Sequence, residues 1–200
     1  MNQSNLVRIP SACKFTKEVD TSSNDVIVIG TSLVRDIGVT LNDRNVNAVV
    51  YTNAGCSIRH IAPRFKQMIP PNYRGCIILQ VGGNDCSYNE SECVINEYDA
   101  FLNDLLLYAP KAHVLVSEIP PRRGNEYLKY KINTVNDYLH FRSTFDDKIA
   151  FIECPLSDTK LHFRKDGVHF SSLGRSIYIS NLKDAISTVF RLVHMNKIAS

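Results

Sequence analysis

The sequence predicts an α/β fold, a three-layer α/β/α sandwich around a five-stranded, mostly parallel sheet. Three observations carry that expectation. Short runs of β-branched residues alternate along the chain with stretches whose apolar residues recur at helical spacing. The runs are apolar throughout, as strands buried on both faces are. Glycine, proline and asparagine punctuate their ends. Such alternation gives a parallel sheet with right-handed crossovers and helices on both faces, and it gathers the loops after each strand at one edge, where ligands bind.

Taken in order, Val26 to Ile29 reads as the first strand, broken at Gly30, and Leu33, Val34, Ile37 and Leu41 then recur at helical spacing, predicting a helix from Ser32 to about Asp43. Val46 to Tyr51 is the second strand. After the turn formers of Thr52 to Ser57, the residues Ile58, Ile61, Phe65 and Met68 line one helical face until Pro70 and Pro71. Cys76 to Gly82 is the third strand, running into a loop at Gly83, Asn84 and Asp85. Val94, Tyr98, Phe101, Leu102, Leu105 and Leu106 mark an amphipathic helix from about Glu92 to Tyr108. His113 to Ile119 is the fourth strand, Tyr127 to Arg142 a helix, and Lys148 to Glu153 the fifth strand. An irregular stretch from Cys154 to Phe170 leads into a last helix from Ser172 to about Val193.

Two hundred residues, 44% hydrophobic and 22% charged, suit one domain with a full core. That domain is expected over residues 25–200, behind a polar lead, 1–24, expected to be flexible. The lead has no apolar segment of the signal-peptide kind, and no run approaches the roughly 18 residues of a membrane span. A soluble, intracellular protein is the expectation. The net charge of +3 reads as mild and evenly spread, so charge alone implies neither a nucleic-acid nor a membrane surface. The six cysteines, Cys13, Cys56, Cys76, Cys86, Cys93 and Cys154, form no CxxC pair and read as buried or half-buried free thiols.

The chemistry concentrates on the catalytic edge. Ser32 follows Gly30 and Thr31 where a helix should begin, and reads either as a nucleophile or as a plain N-cap. In the last loop Asp166-Gly-Val-His169 puts an aspartate three residues before a histidine, a spacing that lets the carboxylate hold Nδ1–H while Nε2 faces outward. Ser32, His169 and Asp166 thus match the nucleophile, base and orienting carboxylate of a hydrolase triad in the order Ser, Asp, His. Three donors for a developing oxyanion stand in the neighbouring loops: the backbone N–H groups of Ser32 and Gly55, and the side-chain amide of Asn84.

These residues resemble the SGNH or GDSL-type hydrolases, whose chemistry lies in four separated blocks. Ile29-Gly-Thr-Ser32 is similar to the nucleophile block, Asn53-Ala-Gly55 to the glycine block, Gly82-Gly-Asn-Asp85 to the GxND block, and Asp166-Gly-Val-His169 to the DxxH block. The resemblance covers roughly residues 25–193. It implies a flavodoxin-like SGNH-hydrolase fold and esterase activity, often on acetylated carbohydrates, short acyl esters or phospholipid esters, with no metal or organic cofactor. It implies Ser32, Asp166 and His169 as the triad, and Ser32, Gly55 and Asn84 as the oxyanion hole. One position departs from the family pattern: Thr31 stands where an aspartate is usual, which predicts a looser tie between neighbouring loops.

A catalytically weak binding module on the same fold is the alternative, and Thr31 is its motive. A nucleotide or nucleic-acid reading would rest on Gly30 and on the basic, aromatic segment Arg122 to Lys131, but neither GxGxxG nor GxxxxGK[ST] is present. That segment reads as a rim, and as a lip able to contact a polar or acidic leaving group. The expected partners are therefore small-molecule, lipid or carbohydrate esters and not nucleic acid. His60, His113, His140, His162 and His194 make no ligand spacing and read as structural or surface residues.

Overall fold

The computed structural model describes residues 26–35, 37, 47–157 and 160–198, with side chains as far as residue 189. Its sheet is wholly parallel, built from β1 (Val26–Gly30), β2 (Ala48–Thr52), β3 (Cys76–Gln80), β4 (His113–Ser117) and β5 (Ile149–Ile152) in the order β2-β1-β3-β4-β5. The helices are α1 (Ile58–Ile61), α2 (Phe65–Met68), α3 (Gly83–Tyr88), α4 (Ser91–Tyr108), α5 (Glu126–Ser143) and α6 (Ser172–Ile198). A three-residue 3₁₀ turn, Ser32–Val34, follows β1.

The period of two along each strand divides the core into two layers. Ile27, Ile29, Ile77, Leu79, Val114 and Val116 face one side, where they pack with α1, α2, α4 and α5 through residues such as Phe65, Phe101, Leu102 and Ile132. Val26, Val28, Cys76, Ile78 and Leu115 face the other, against Val34, Phe163, Phe170 and the α6 residues Tyr178, Leu182 and Ile186. Every residue of β1 and β3 is buried, which is why their sequences show no polar alternation. Fully burying one such aliphatic side chain is worth about 1.5–3 kcal/mol.

The expected strands and the two long amphipathic helices are present, with three differences. The helix expected from Ile58 to Met68 is two single turns, because Pro63 offers no N–H and the chain closes instead through the Arg64 N–H on the Ile61 carbonyl (2.8 Å). The stretch after β3, expected as a loop, is α3, entered through Gly82 in a left-handed conformation (φ 96°). After β1 the backbone makes a 3₁₀ turn first, and Ile37 is helical; the rest of the expected Ser32–Asp43 helix, like the lead at 1–24, lies outside the described residues.

The chain leaves β1 for β2 on one side and returns to β3 on the other, so the carboxyl ends of β1 and β3 border a topological switch point. At that point the backbones run close. A Cβ on Gly30 would lie 2.6 Å from Val34 Cγ2 and 2.8 Å from the Gln80 carbonyl oxygen. A main-chain oxygen in a fully buried strand cannot retreat, so Gly30→Ala should destabilise the fold by about 1–3 kcal/mol, the usual cost of overpacking. Urea unfolding of the two proteins checks this, and an unchanged midpoint would contradict the packing described here.

Candidate active site

Thr31, and not Ser32, caps the turn after β1. Its Oγ1 accepts the Leu33 N–H (3.4 Å) and donates to Gln80 Oε1 (2.7 Å), its N–H donates to the Gln80 carbonyl (3.1 Å), and its own carbonyl accepts Thr52 Oγ1–H (2.8 Å). The buried threonine therefore binds the ends of β1, β2 and β3 together without a charge. Ser32, relieved of capping, turns its hydroxyl toward the last loop.

That loop is a hairpin, more ordered than its composition suggests. Phe163 and Phe170 form an antiparallel bridge, both rings are buried, and Phe170 packs on Tyr178 of α6 with centroids 5.0 Å apart. At the tip Gly167 has φ 69°, and a Cβ there would lie 2.8 Å from Arg123 Cβ, so the position suits glycine twice over. The Arg123 N–H donates to the Gly167 carbonyl (3.1 Å), tying the tip to the loop after β4. Asp166 Oδ1 accepts the N–H groups of Val168 and His169, each at 2.9 Å. Those two hydrogen bonds, then the one from His169, hold its carboxyl down at about 2.

His169 Nδ1 lies 2.8 Å from Asp166 Oδ2, and His169 Nε2 lies 3.1 Å from Ser32 Oγ. An ionised carboxylate only accepts, so Nδ1 carries the proton and Nε2 presents its lone pair to the serine hydroxyl. Two other serines touch histidines, Ser57 with His60 (2.8 Å) and Ser157 with His162 (3.0 Å), but both contacts are to Nδ1 over a few residues, and no carboxylate holds either ring. Among the described residues only Ser32 has a histidine on the far nitrogen and an aspartate behind it.

The donor positions share a scaffold. Asn84, in the first turn of α3, donates through Nδ2 to the Cys56 carbonyl (2.9 Å) and accepts Arg122 Nη2–H at Oδ1 (3.2 Å). Arginine has no acceptor, so this contact fixes the amide orientation and leaves the second Nδ2 hydrogen for the cavity. The next residue, Asp85, accepts the Ile58 N–H (2.9 Å), so α3 staples both ends of the short segment after Gly55. Asp85 is buried with Oδ2 unpartnered among the described residues, and burial pushes its carboxyl up to about 6. Gly55 has φ 73° and open space where a Cβ would be. Neither its N–H nor that of Ser32 meets an acceptor among the described residues.

Ser32, Gly55, Asn84, Asp166 and His169 all line one cavity of about 650 Å³ at the switch point. The sequence-level candidates therefore come together. Arg35, Arg122, Arg164 and Arg175 line it too, and three of these had no motif to mark them, although each lies within a few residues of a catalytic block. The thiols stand apart: Cys56 is buried with its Sγ on the Gly30 carbonyl (3.6 Å), and burial pushes Cys86 up to about 12, so neither is a nucleophile at neutral pH. Cys93 is exposed, against the expectation of buried thiols, and Cys13 lies outside the described residues. Among the described residues no group of acidic, histidine and cysteine side chains has the arrangement of a metal site, and no helix is long and apolar enough to cross a membrane.

No family model and no curated protein sequence matches the chain. Solved structures do. A GDSL-like lipase from Bacteroides thetaiotaomicron superposes with a TM-score of 0.68 at 16% identity, over 83% of this chain and 89% of that one. A carbohydrate esterase of family 3 from Talaromyces cellulolyticus gives 0.68 at 15% identity over 84% and 99%. An acetylxylan esterase from Geobacillus stearothermophilus, as a catalytic mutant, gives 0.60 at 16% over 84% and 95%. The chain has the SGNH-hydrolase fold.

The two carboxylates on this edge set opposite pH dependences. Asp166, depressed from 3.8 to about 2, binds its proton later in the folded protein than in the unfolded chain, so its stabilisation is complete above 3.8 and lost as the pH falls toward 2. Asp85, raised from 3.8 to about 6, binds its proton earlier when folded, so stability falls as the pH climbs from 3.8 through 6. Asp166→Asn should flatten the acid limb, and Asp85→Asn the slope above it. Unfolding free energies of the three proteins across pH check both signs.

Proposed function

We propose that this chain is a serine esterase of the SGNH type, hydrolysing carboxylic esters, short acyl or O-acetyl esters foremost, through an acyl-enzyme. The observation that carries this reading is the relay from Ser32 Oγ to His169 Nε2 and from His169 Nδ1 to Asp166, at 3.1 and 2.8 Å, in a cavity open to substrate. The lipase and the carbohydrate esterases that share the fold support an ester as the substrate.

Ser32 Oγ attacks the ester carbonyl carbon while its proton passes to His169 Nε2. The imidazolium so formed is stabilised by Asp166, which stays ionised because its two backbone N–H partners favour the charged form. Negative charge gathers on the former carbonyl oxygen, for which the N–H groups of Ser32 and Gly55 and the remaining Nδ2–H of Asn84 are the donors. As the tetrahedral intermediate collapses, His169 returns the proton to the departing alcohol. Water, deprotonated by the same nitrogen, then attacks the acyl-serine and releases the acid. Among the described residues the N–H groups of Ser32 and Gly55 are committed to no other acceptor, which leaves them for the oxyanion. Thr31, the motive for a binding module without chemistry, makes the strand ties that fix Ser32 and so favours catalysis.

Ser32→Ala should lower hydrolysis of a generic acetyl ester by at least about four orders of magnitude, as loss of a triad nucleophile does, with an unchanged thermal midpoint because Ser32 caps nothing. A fluorophosphonate should label Ser32 alone, and peptide mapping that finds the label on Ser57 or Ser157 would reassign the nucleophile.

Asn84→Ala should lower kcat by about two to three orders of magnitude with a smaller effect on KM, the effect of removing one oxyanion donor. Steady-state kinetics on the same ester separates this from the opposite pattern, raised KM at constant kcat, which would make Asn84 a binding residue.

A further inference from the structure

The cavity beside Ser32 carries four guanidinium groups, those of Arg35, Arg122, Arg164 and Arg175, and one carboxylate, Asp166, which is already engaged with His169. Of the 23 basic and 20 acidic residues behind the net charge of +3, these five leave equal numbers of each sign elsewhere. Among the described residues that line this cavity, guanidinium groups outnumber carboxylates four to one.

Three hydrogen bonds that these arginines donate go to neutral oxygens. Arg122 Nη2 donates to Asn84 Oδ1 (3.2 Å), Arg164 Nε to the Phe170 carbonyl (3.0 Å), and Arg175 Nη2 to the Arg35 carbonyl (3.1 Å). None of Arg35, Arg122 and Arg164 forms an ion pair among the described residues. Arg122 is half-buried, and the missing side chain of Gly83 makes its room, since a Cβ there would stand 3.0 Å from Nη2. Burial draws its pKa below the ordinary arginine value, the mark of a cation short of water. Holding several cations round one cavity, one of them partly desolvated with an amide oxygen as its hydrogen-bond acceptor and Asp166 as the nearby carboxylate, opposes folding in the absence of a further anion. A guanidinium spends one hydrogen bond on its anchor and keeps further donors in a planar fork, which matches the oxygens of a carboxylate, sulfate or phosphate.

We propose that the ester accepted at this site carries an anionic oxyacid group, a carboxylate, sulfate or phosphate, which docks on Arg35, Arg122 and Arg164 while its ester carbonyl lies against Ser32. The inference rests on the esterase reading for the ester and on the arginines for the anion. Arg122 has two parts in it, since the guanidinium that would meet the anion also orients the Asn84 amide. Docking of the charged group is thus coupled to placement of an oxyanion donor. A neutral ester of the same size would leave the cations uncompensated and forgo that binding free energy.

Two measurements test the proposal, one of them independent of turnover. Inorganic phosphate titrated calorimetrically into Ser32→Ala protein should bind with a Kd of about millimolar or tighter, weakened about fivefold or more by adding Arg122→Gln or Arg35→Gln. No heat of binding, or binding indifferent to both substitutions and so an adventitious ion only, overturns it. For turnover by the unmodified protein, two matched pairs place the charge on either side of the ester: 4-acetoxybenzoate with 4-acetoxybenzamide, and 4-nitrophenyl hemisuccinate with 4-nitrophenyl butyrate. In at least one pair the charged member should have the higher kcat/KM by about tenfold, and the ratio should shrink in Arg35→Gln and Arg164→Gln proteins. Turnover of the neutral members with no charge preference in either pair defeats the inference and leaves the esterase reading standing. If no ester is cleaved, the esterase reading fails, and the phosphate titration still decides whether the arginines bind an anion.

Discussion

The closeness of β1 and β3 at Gly30 is the constraint on which the catalytic edge depends. With no side chain there, the backbone turns out of the sheet within one residue, and Thr31 binds both the side chain and the carbonyl of Gln80. The second strand joins through Thr52 on the Thr31 carbonyl and Asn53 on the Gly30 carbonyl. Three strand ends are thereby locked about one point, and Ser32 is the next residue out. A serine on a long flexible loop would have to be ordered for each encounter with substrate. Here that ordering is accomplished once, on folding, by bonds that do not involve the hydroxyl.

The two aspartates of the site show how surroundings divide labour between identical side chains. Asp166 stands largely in the open and is fixed as an anion by backbone donors, which suits the role proposed for it beside His169. Asp85 is buried and lifted toward neutrality, and its one hydrogen bond pins the start of α1. The adjacent Asn84 pins the Cys56 carbonyl, so consecutive residues of α3 hold the segment that presents Gly55. The proposed oxyanion donors Gly55 and Asn84 thus share a braced unit, and Arg122 closes it from the outer side.

Much of this was legible along the chain because the governing signals are local. The strands announce themselves as short apolar runs, and α4 through its inward residues at three- and four-residue steps. The proposed triad residues sit directly after a strand or in the last loop, where this architecture brings ligands. What escaped depends on contacts far apart in sequence. Gly82 read as the end of a strand and Gly83 as loop, yet the left-handed Gly82 caps α3, and Gly83 makes room for Arg122. Thr31 read as a loss because its partners, Gln80 and Thr52, belong to other strands. Of the arginines in the cavity only Arg122 lay in a segment the sequence marked, as a rim; Arg35, Arg164 and Arg175 come from the 3₁₀ turn, the last hairpin and α6.

The hydrogen bond between Ser32 and His169 joins residues 137 apart in the chain. Closing a loop of that length costs entropy that must be met by other non-local contacts, above all the seating of Phe163 and Phe170 on Tyr178 and of α6 on its layer. Contacts of such high order belong to the late, slow part of folding. During synthesis Ser32, its turn and the segments bearing Gly55 and Asn84 emerge long before His169. On the proposed mechanism Ser32 would stay an ordinary alcohol until the carboxyl-terminal hairpin docks, and its reactivity would report the completed fold.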